Sequence, residues 1–175
     1  MNREVKPLSL EVERKFLLHQ YPDDLIADGT LEVISLQHID QTYLALAEGE
    51  ELRLRRVRNS DTLASEYILT YKSGFGLVRK EIEHPVTKQL YDELLSITRL
   101  KPLHKDRTTA RIKDTGLIIE IDRYRHTPLI VVEVEFPDEQ TAHQFQPPSW
   151  FGKDISTNRA YSNKELWRQI NHITK

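Results

Sequence analysis

Six short stretches of this chain carry charged residues two positions apart: Glu11, Glu13 and Lys15; Arg53 and Arg55; Arg79, Glu81 and Glu83; Lys105 and Arg107; Glu120 and Asp122; Glu133 and Glu135. In a β-strand successive side chains point to opposite faces, so residues two apart share a face. Each stretch presents its charges side by side, and the residue between them, usually apolar, faces the other way. Lys72, at the end of Ile68-Leu69-Thr70-Tyr71-Lys72, joins the same set. Paired carboxylates suit a hard divalent cation, which prefers oxygen ligands. Paired bases suit a polyanion, because charge-assisted hydrogen bonds are short and strong and arginine offers a bidentate fork. A sheet face selected only for solubility would scatter its charges without this order.

Positioning so many charged faces around one ligand requires many strands. The period-two pattern predicts strands near Leu10–Leu18, Val33–His38, Thr42–Leu46, Glu51–Arg58, Glu66–Lys72, Leu77–His84, Lys105–Lys113, Leu117–Arg125 and Leu129–Phe136, with a Gly74-Phe75-Gly76 turn in the middle. Short helices are expected over Asp23–Ala27 and from Pro137 to Phe145. A longer helix after Pro85 should bury Val86, Leu90, Leu94 and Ile97, and a last one, Ser162–Ile173, should bury Leu166, Ile170 and Ile173. Ser162 stands three residues before Glu165, the spacing of a capping box. Trp150, Phe151, Tyr161 and Trp167 read as packing residues rather than platforms for a base.

Antiparallel strands in this number must manage their edges, and closure into a barrel removes them. A barrel of about eight strands can also leave a ligand cavity. The charged faces would then line the interior. Leu10, Val12, Leu52, Leu54, Ile119, Ile121, Val132, Val134 and Phe136 would face outward beneath the helices.

The ordered series of motifs resembles the CYTH domains, or triphosphate tunnel metalloenzymes, over nearly the whole chain. Glu11-Val12-Glu13-Arg14-Lys15 matches the family's N-terminal Glu-x-Glu-x-Lys. Arg-x-Arg at 53 and 55, Leu-Thr-x-Lys ending at Lys72, Glu-x-Glu at 81 and 83, Lys-x-Arg at 105 and 107, Glu-x-Asp at 120 and 122 and Glu-x-Glu at 133 and 135 follow in family order. One departure stands out: where the family carries an acid before a Tyr-x-Asn, this chain has Asn158 ahead of Tyr161-Ser162-Asn163, with Asp154 the nearest acid available as a partial stand-in.

The resemblance implies an α+β, mainly β fold: a closed antiparallel eight-stranded tunnel with helices packed outside. It implies metal-dependent hydrolysis of a triphosphate, either inorganic tripolyphosphate or a triphosphorylated small molecule, with Mg²⁺ or Mn²⁺ as cofactor. Glu11, Glu13, Glu133 and Glu135 would be metal ligands, joined by Glu120 and Asp122. Lys15, Arg53, Arg55, Lys72, Arg79, Lys105 and Arg107 would hold the substrate, with Lys15 and the two terminal acid pairs carrying the catalysis. Glu81, Glu83, Glu120 and Asp122 could equally hold the bases in place. Arg79, beside Lys80 and the glycine turn, also fits an exposed strand end. Two other readings share the cradle: a class IV-type adenylyl cyclase, which needs an adenine site as well, and a non-catalytic polyphosphate or nucleotide-binding module. Intact acid pairs argue against the last, since bases alone suffice for binding.

Composition narrows the rest. A chain of 175 residues is expected to form one domain, 1–175. Its 25 basic and 27 acidic residues give a net charge of −2, so no bulk attraction to nucleic acid or to an anionic membrane is expected, and any phosphate binding must be local. There is no cysteine, which agrees with a reducing compartment. His19, His38, His84, His104, His126, His143 and His172 lack the close pairing of a zinc motif. The run Met1-Asn2-Arg3-Glu4-Val5-Lys6-Pro7 lacks the apolar core of a signal peptide, so the chain is expected in the cytoplasm. Nothing in the sequence speaks to oligomeric state.

Overall fold

The computed structural model describes residues 9–74 and 77–173. Phe75 and Gly76 of the expected turn, and the N-terminal run 1–7, lie outside them.

Eight strands close into one antiparallel barrel: β1 (Ser9–Leu17), β2 (Leu31–Ala47), β3 (Glu50–Asn59), β4 (Ser65–Ser73), β5 (Val78–Pro85), β6 (Leu103–Ile112), β7 (Ile118–Tyr124) and β8 (Ile130–Phe136). Around the wall they run β1-β5-β4-β3-β2-β6-β7-β8, and β8 pairs back onto β1 with Glu13 opposite Glu135 and Lys15 opposite Glu133. The first and last acid-bearing strands are therefore neighbours.

Four helices decorate the barrel: α1 (Asp23–Ala27), α2 (Lys88–Thr98), α3 (Glu139–Gln144) and α4 (Asn163–Ile170). The outward apolar residues Val12, Phe16, Ile119, Ile121, Val132, Val134 and Phe136 form one buried cluster, which Leu25 and Ile26 of α1 and Phe145, just beyond α3, help to cover. Three of the expected outward set depart from this cluster. Leu54 is fully buried outside it, Leu52 is only half-buried, and Leu10 is 65% exposed. Leu10 sits near the free start of β1, opposite Lys80.

The two strands expected over 33–38 and 42–46 are one continuous β2. Asp40, which looks like a break in the sequence, faces outward and is held by Arg56 of β3 and His104 of β6. Register shifts at Val33/Ser35 and Tyr43/Ala45 let so long a strand curl around the barrel. The helix expected from Pro85 begins at Lys88, because β5 runs through Pro85 and Thr87 caps the helix by accepting from the Leu90 amide at 3.1 Å. Its expected aliphatic stripe is not buried: Leu90 is 40% and Ile97 76% exposed, and the helix is anchored by Tyr91 against Tyr67, ring centroids 4.9 Å apart.

α4 closes the second buried cluster. Its Leu166 and Trp167 pack on Tyr43, Leu103, Tyr124 and Val131. The last three lie in register with Lys105, Asp122 and Glu133 along their strands, so this helix covers one end of the barrel interior. Ser162 caps it through the Glu165 amide, as its spacing predicts, but Ile173 is left 37% exposed. The approach to α4 is fixed by a short lacing contact. β5 pairs only with residues 9–12 of β1, and beyond that point the segment around Gly152 takes the vacated edge, with Gly152 N donating to the Leu17 carbonyl at 2.8 Å and Ile155 N to the Lys15 carbonyl at 2.8 Å. A Cβ at Gly152 would lie 2.6 Å from the Leu17 oxygen, so only glycine fits there.

Candidate functional site

The inner wall gathers the charged residues of all the motif strands around a cavity of about 1100 Å³. Glu11, Glu13, Lys15, Arg53, Arg55, Lys72, Glu81, Glu83, Lys105, Arg107, Glu120, Glu133 and Glu135 all line it. Asp122 lies directly beneath, fully buried. Arg79 does not line this cavity. It belongs to a second one, of about 590 Å³, that shares Glu13 and Lys15 with the first and extends along residues 155–159 to α4.

Within the main cavity the bases are held by acids from neighbouring strands. Lys72 Nζ lies 2.5 Å from Glu11 and 3.3 Å from Glu81, and Arg53 lies 3.0 Å from Glu81. Arg55 pairs with Glu83, which also accepts from the Thr70 hydroxyl at 3.1 Å. Lys15 bridges Glu133 at 2.7 Å and Glu13 at 3.1 Å. Arg107 is the most heavily engaged base: it forks onto Asp122 at 2.7 Å through Nε and Nη2, reaches Glu133 at 3.0 Å and pairs with Glu120. Lys105 shares Asp122 at 2.5 Å.

The electrostatics separate two groups of acids. Burial alone would raise the Glu133 carboxyl, but Lys15, Arg107 and Lys105 hold it well below the usual carboxylate range. Asp122 is likewise held low against burial by Arg107 and Lys105. Both acids are occupied in fixing bases. Glu135 behaves in the opposite way: partial burial, then the charges of Glu11, Glu120 and Glu13, push its carboxyl up. No base stands within ion-pair reach of Glu135 among the described residues. Glu120 is raised too, by burial and by Glu133 and Asp122, against the pull of Arg107.

The bases show the complementary strain. Burial, then the nearby Arg53 charge, lowers the Arg55 guanidinium to about 10. Burial and Arg107 lower Lys105 to about 8 in spite of its contact with Asp122, because one carboxylate serves two cations and Arg107 holds it in the better geometry. The Nε atoms of Arg53 and Arg55 are buried and lack any hydrogen-bond partner, and so is that of Arg79 in the second cavity. Unpaired buried donors are costly. Arg53 and Arg55 themselves line a chamber wide enough for a polyanion.

The same geometry tests whether a divalent cation suits the site. Among the described residues no three carboxylates or imidazoles stand grouped as ready-made ligands, since most tunnel acids are turned toward bases. The donor chemistry nevertheless fits. Glu11, Glu13, Glu120 and Glu135 are oxygen donors whose mutual repulsion, felt most by the unpaired Glu135, is what a cation would relieve.

Several contributors are not marked by the charge motifs. Glu51 is 5% exposed, 3.4 Å from Arg79 and 4.0 Å from Lys164, and its position two residues before Arg53 is the signal that places it on the inner face. Tyr124, two after Asp122, donates to Asn163 at 2.6 Å at the covered end. Asn163 and Lys164 come from α4 and carry no strand-period signal. At the departure from the family pattern, Asn158 lines the second cavity and caps the 3-10 turn Arg159–Tyr161 through the Ala160 amide. Asp154 lines neither cavity. It pairs outside the barrel with Arg14 at 2.6 Å and accepts from Ser156, so it does not stand in for the missing acid.

Comparison with known proteins agrees with this geometry. The model of the CYTH domain family matches residues 9–161. An inorganic triphosphatase of Nitrosomonas europaea is 35% identical over 159 residues, covering 89% of this chain and 95% of that protein. One from Acetivibrio thermocellus is 23% identical over 158 residues, covering 89% and 92% respectively. A solved structure of an inorganic triphosphatase matches with a TM-score of 0.60 at 31% identity, over 94% of this chain and 95% of that one. Among the described residues no helix is long and apolar enough to cross a membrane.

Proposed function

The chain belongs to the CYTH domain family, and from that premise we propose that it is a metal-dependent triphosphatase that cleaves the terminal phosphoanhydride of inorganic triphosphate within the barrel. The observation that carries the reading is that six bases, Lys15, Arg53, Arg55, Lys72, Lys105 and Arg107, line one chamber and bring their donors to it. A linear triphosphate supplies a row of acceptor oxygens for these donors and offsets the crowding that depresses Arg55 and Lys105. Arg53 and Arg55 each keep one guanidinium nitrogen, Nη2, on an acid, Glu81 and Glu83 respectively. These acids therefore act as positioning residues.

We assign the cation, Mg²⁺ or Mn²⁺, to Glu11, Glu13, Glu120 and Glu135. Glu133 and Asp122 stay as the anchors of Lys15, Arg107 and Lys105. When bound, the cation would neutralise phosphoryl charge and ease deprotonation of the attacking water. Lys15, which burial disfavours but Glu13 and Glu133 hold charged, stands where the acid and base halves of the wall meet. It would neutralise the charge that builds on the phosphoryl oxygens as the water oxygen bonds to phosphorus and the bridging oxygen leaves with its electron pair. The cysteine-free composition supports a cytoplasmic setting.

The test is product analysis with tripolyphosphate, ATP and thiamine triphosphate side by side, each with Mg²⁺ and with Mn²⁺. Orthophosphate and pyrophosphate in equal amounts from tripolyphosphate are expected. Glu135→Gln, which keeps size and loses charge, should lower kcat by about a hundredfold or more, roughly 2.7 kcal/mol, with an unchanged far-UV circular dichroism spectrum. Cyclic AMP from ATP, or full turnover of Glu135→Gln at saturating metal, would overturn the assignment.

A further inference from the structure

The outside of the barrel carries a second ordered constellation that the tunnel does not use. His38-Ile39-Asp40 and His104-Lys105-Asp106 are two His-x-Asp pairs on β2 and β6, which run antiparallel side by side. Their register sets His38 opposite Asp106 and Asp40 opposite His104, so each imidazole meets the other strand's carboxylate. His104 Nδ1 lies 2.5 Å from Asp40, and His38 Nδ1 contacts Asp106. Arginines close both ends: Arg56 donates to Asp40 at 2.8 Å through Nε, and Arg125 to Asp106 at 2.7 Å.

All of these but Asp106 border an outer cavity of about 150 Å³ that is also lined by Arg58, for which the described residues provide no partner. Each carboxylate is thus balanced by its own arginine, while Arg58 adds an unbalanced positive charge. The two imidazoles have Nδ1 occupied, which leaves their Nε2 edges for something else. Three histidines or carboxylates grouped for a metal are absent among the described residues, and a cationic, donor-rich pocket of this size suits an anion instead.

We propose that this outer pocket is a second anion site, taking a tetrahedral oxyanion such as orthophosphate between Arg58 and the imidazoles of His38 and His104. The site is separate from the triphosphate chamber and does not depend on the function proposed for it. Orthophosphate is also what cleavage of a triphosphate releases, so the site would give that product a place outside the tunnel. Ile39 and Lys105 line both cavities, so only the barrel wall separates them. The charged and titratable groups facing the two imidazoles are Asp40 on β2, Arg56 and Arg58 on β3, Asp106 on β6, Arg125 and His126 after β7, and, toward His126, Lys101.

The experiment follows the imidazole nitrogen resonances of His38 and His104, assigned with single His→Gln variants, while orthophosphate is added to the full chain in metal-free buffer at constant ionic strength. Saturable shifts of both are expected. Arg58→Ala, at an exposed position, should weaken this binding about tenfold, as expected for one lost charge-assisted hydrogen bond, while Arg55→Ala inside the tunnel leaves it unchanged. Resonances that ignore phosphate, shifts that chloride reproduces at equal ionic strength, or an Arg58→Ala variant that binds as tightly as the parent would each overturn the site.

Discussion

The two surfaces of the β2–β3–β6–β7 wall use the same side-chain chemistry to different ends. Outside, Asp40 and Asp106 each meet an arginine and a histidine in a half-exposed ladder, with Arg56 47% and Arg125 51% exposed. Inside, Arg53, Arg55, Lys105 and Arg107 are nearly excluded from solvent, and their acids are shared rather than matched one to one. On the outside, water screens whatever the pairing leaves over. On the inside burial weakens that screening, so Arg55 and Lys105 are driven from their ordinary protonation range and guanidinium nitrogens stay unpaired. The lesson is that the tunnel is not built for maximum apo stability. Its bases are held in a state that the polyanion proposed as substrate would improve.

The sharpest way to break this contrast is to remove one arginine from each side. Arg107→Ala would leave Asp122 buried with Lys105 alone and would release Glu120 and Glu133. The expected loss of stability is about 3–5 kcal/mol, the usual cost of deleting one partner from a buried charge network. Arg125→Ala, which removes one half-exposed ion pair, with Asp106, should cost no more than about 1 kcal/mol. Urea denaturation of both variants checks this. Equal losses would show that burial does not set the energetics of the two surfaces.

A second substitution probes the strain rather than the anchoring. Arg55 sits close to Arg53 and Arg107, so Arg55→Ala relieves like-charge repulsion in the empty tunnel while removing one donor from the substrate cradle. KM for tripolyphosphate should rise roughly 10- to 100-fold, the size of one hydrogen bond between charged groups at about 1.5–3 kcal/mol. The apo protein should melt at the same temperature or slightly higher, and tripolyphosphate should raise the melting point of the parent more than that of the variant. A variant that melts well below the parent without ligand would mean that Arg55 serves the fold more than the ligand.

The inner wall is legible in the sequence because strand periodicity turns a spacing of two into a shared face, whatever the loops do. That is enough to bring Glu13, Lys15, Glu133 and Glu135 together. The C-terminal approach is harder to read: Asn163 and Lys164 reach the covered end of the tunnel through a helix placed by tertiary packing of Leu166 and Trp167, which no local pattern encodes. Arg79 has the right parity and stands opposite Glu11, one pair before the β1–β5 ladder ends, and it lines the second cavity rather than the first. The aliphatic stripe of α2 misleads because one tyrosine pair outweighs it. The outer ladder is written in period two as plainly as the tunnel, yet a search for close histidine pairs passes over it, since its order appears only when two antiparallel strands are set in register.

The smallest expected effect concerns pH and again sets the fold against the ligand. Burial and Arg107 bring Lys105 to about 8, below the ordinary lysine value it regains on unfolding. Between about pH 8 and pH 10 the unfolded chain therefore holds more protons at this position than the folded one, and apo stability should rise with pH across that window. If Lys105 holds the triphosphate as proposed, binding needs the charged amine, so KM should climb over the same range, by up to about tenfold per pH unit, or 1.4 kcal/mol. Above about pH 10 the buried hydroxyls of Tyr43 and Tyr124, both raised by burial, reverse the stability trend, because the unfolded chain ionises first there. Melting curves in chelator and KM for tripolyphosphate, each measured from about pH 7.5 to 9.5, should thus move in opposite directions in the parent and lose that opposition in Lys105→Met. If stability and affinity instead fall together in the parent, Lys105 is held charged by the fold itself, and the tunnel is less strained than the outer wall comparison implies.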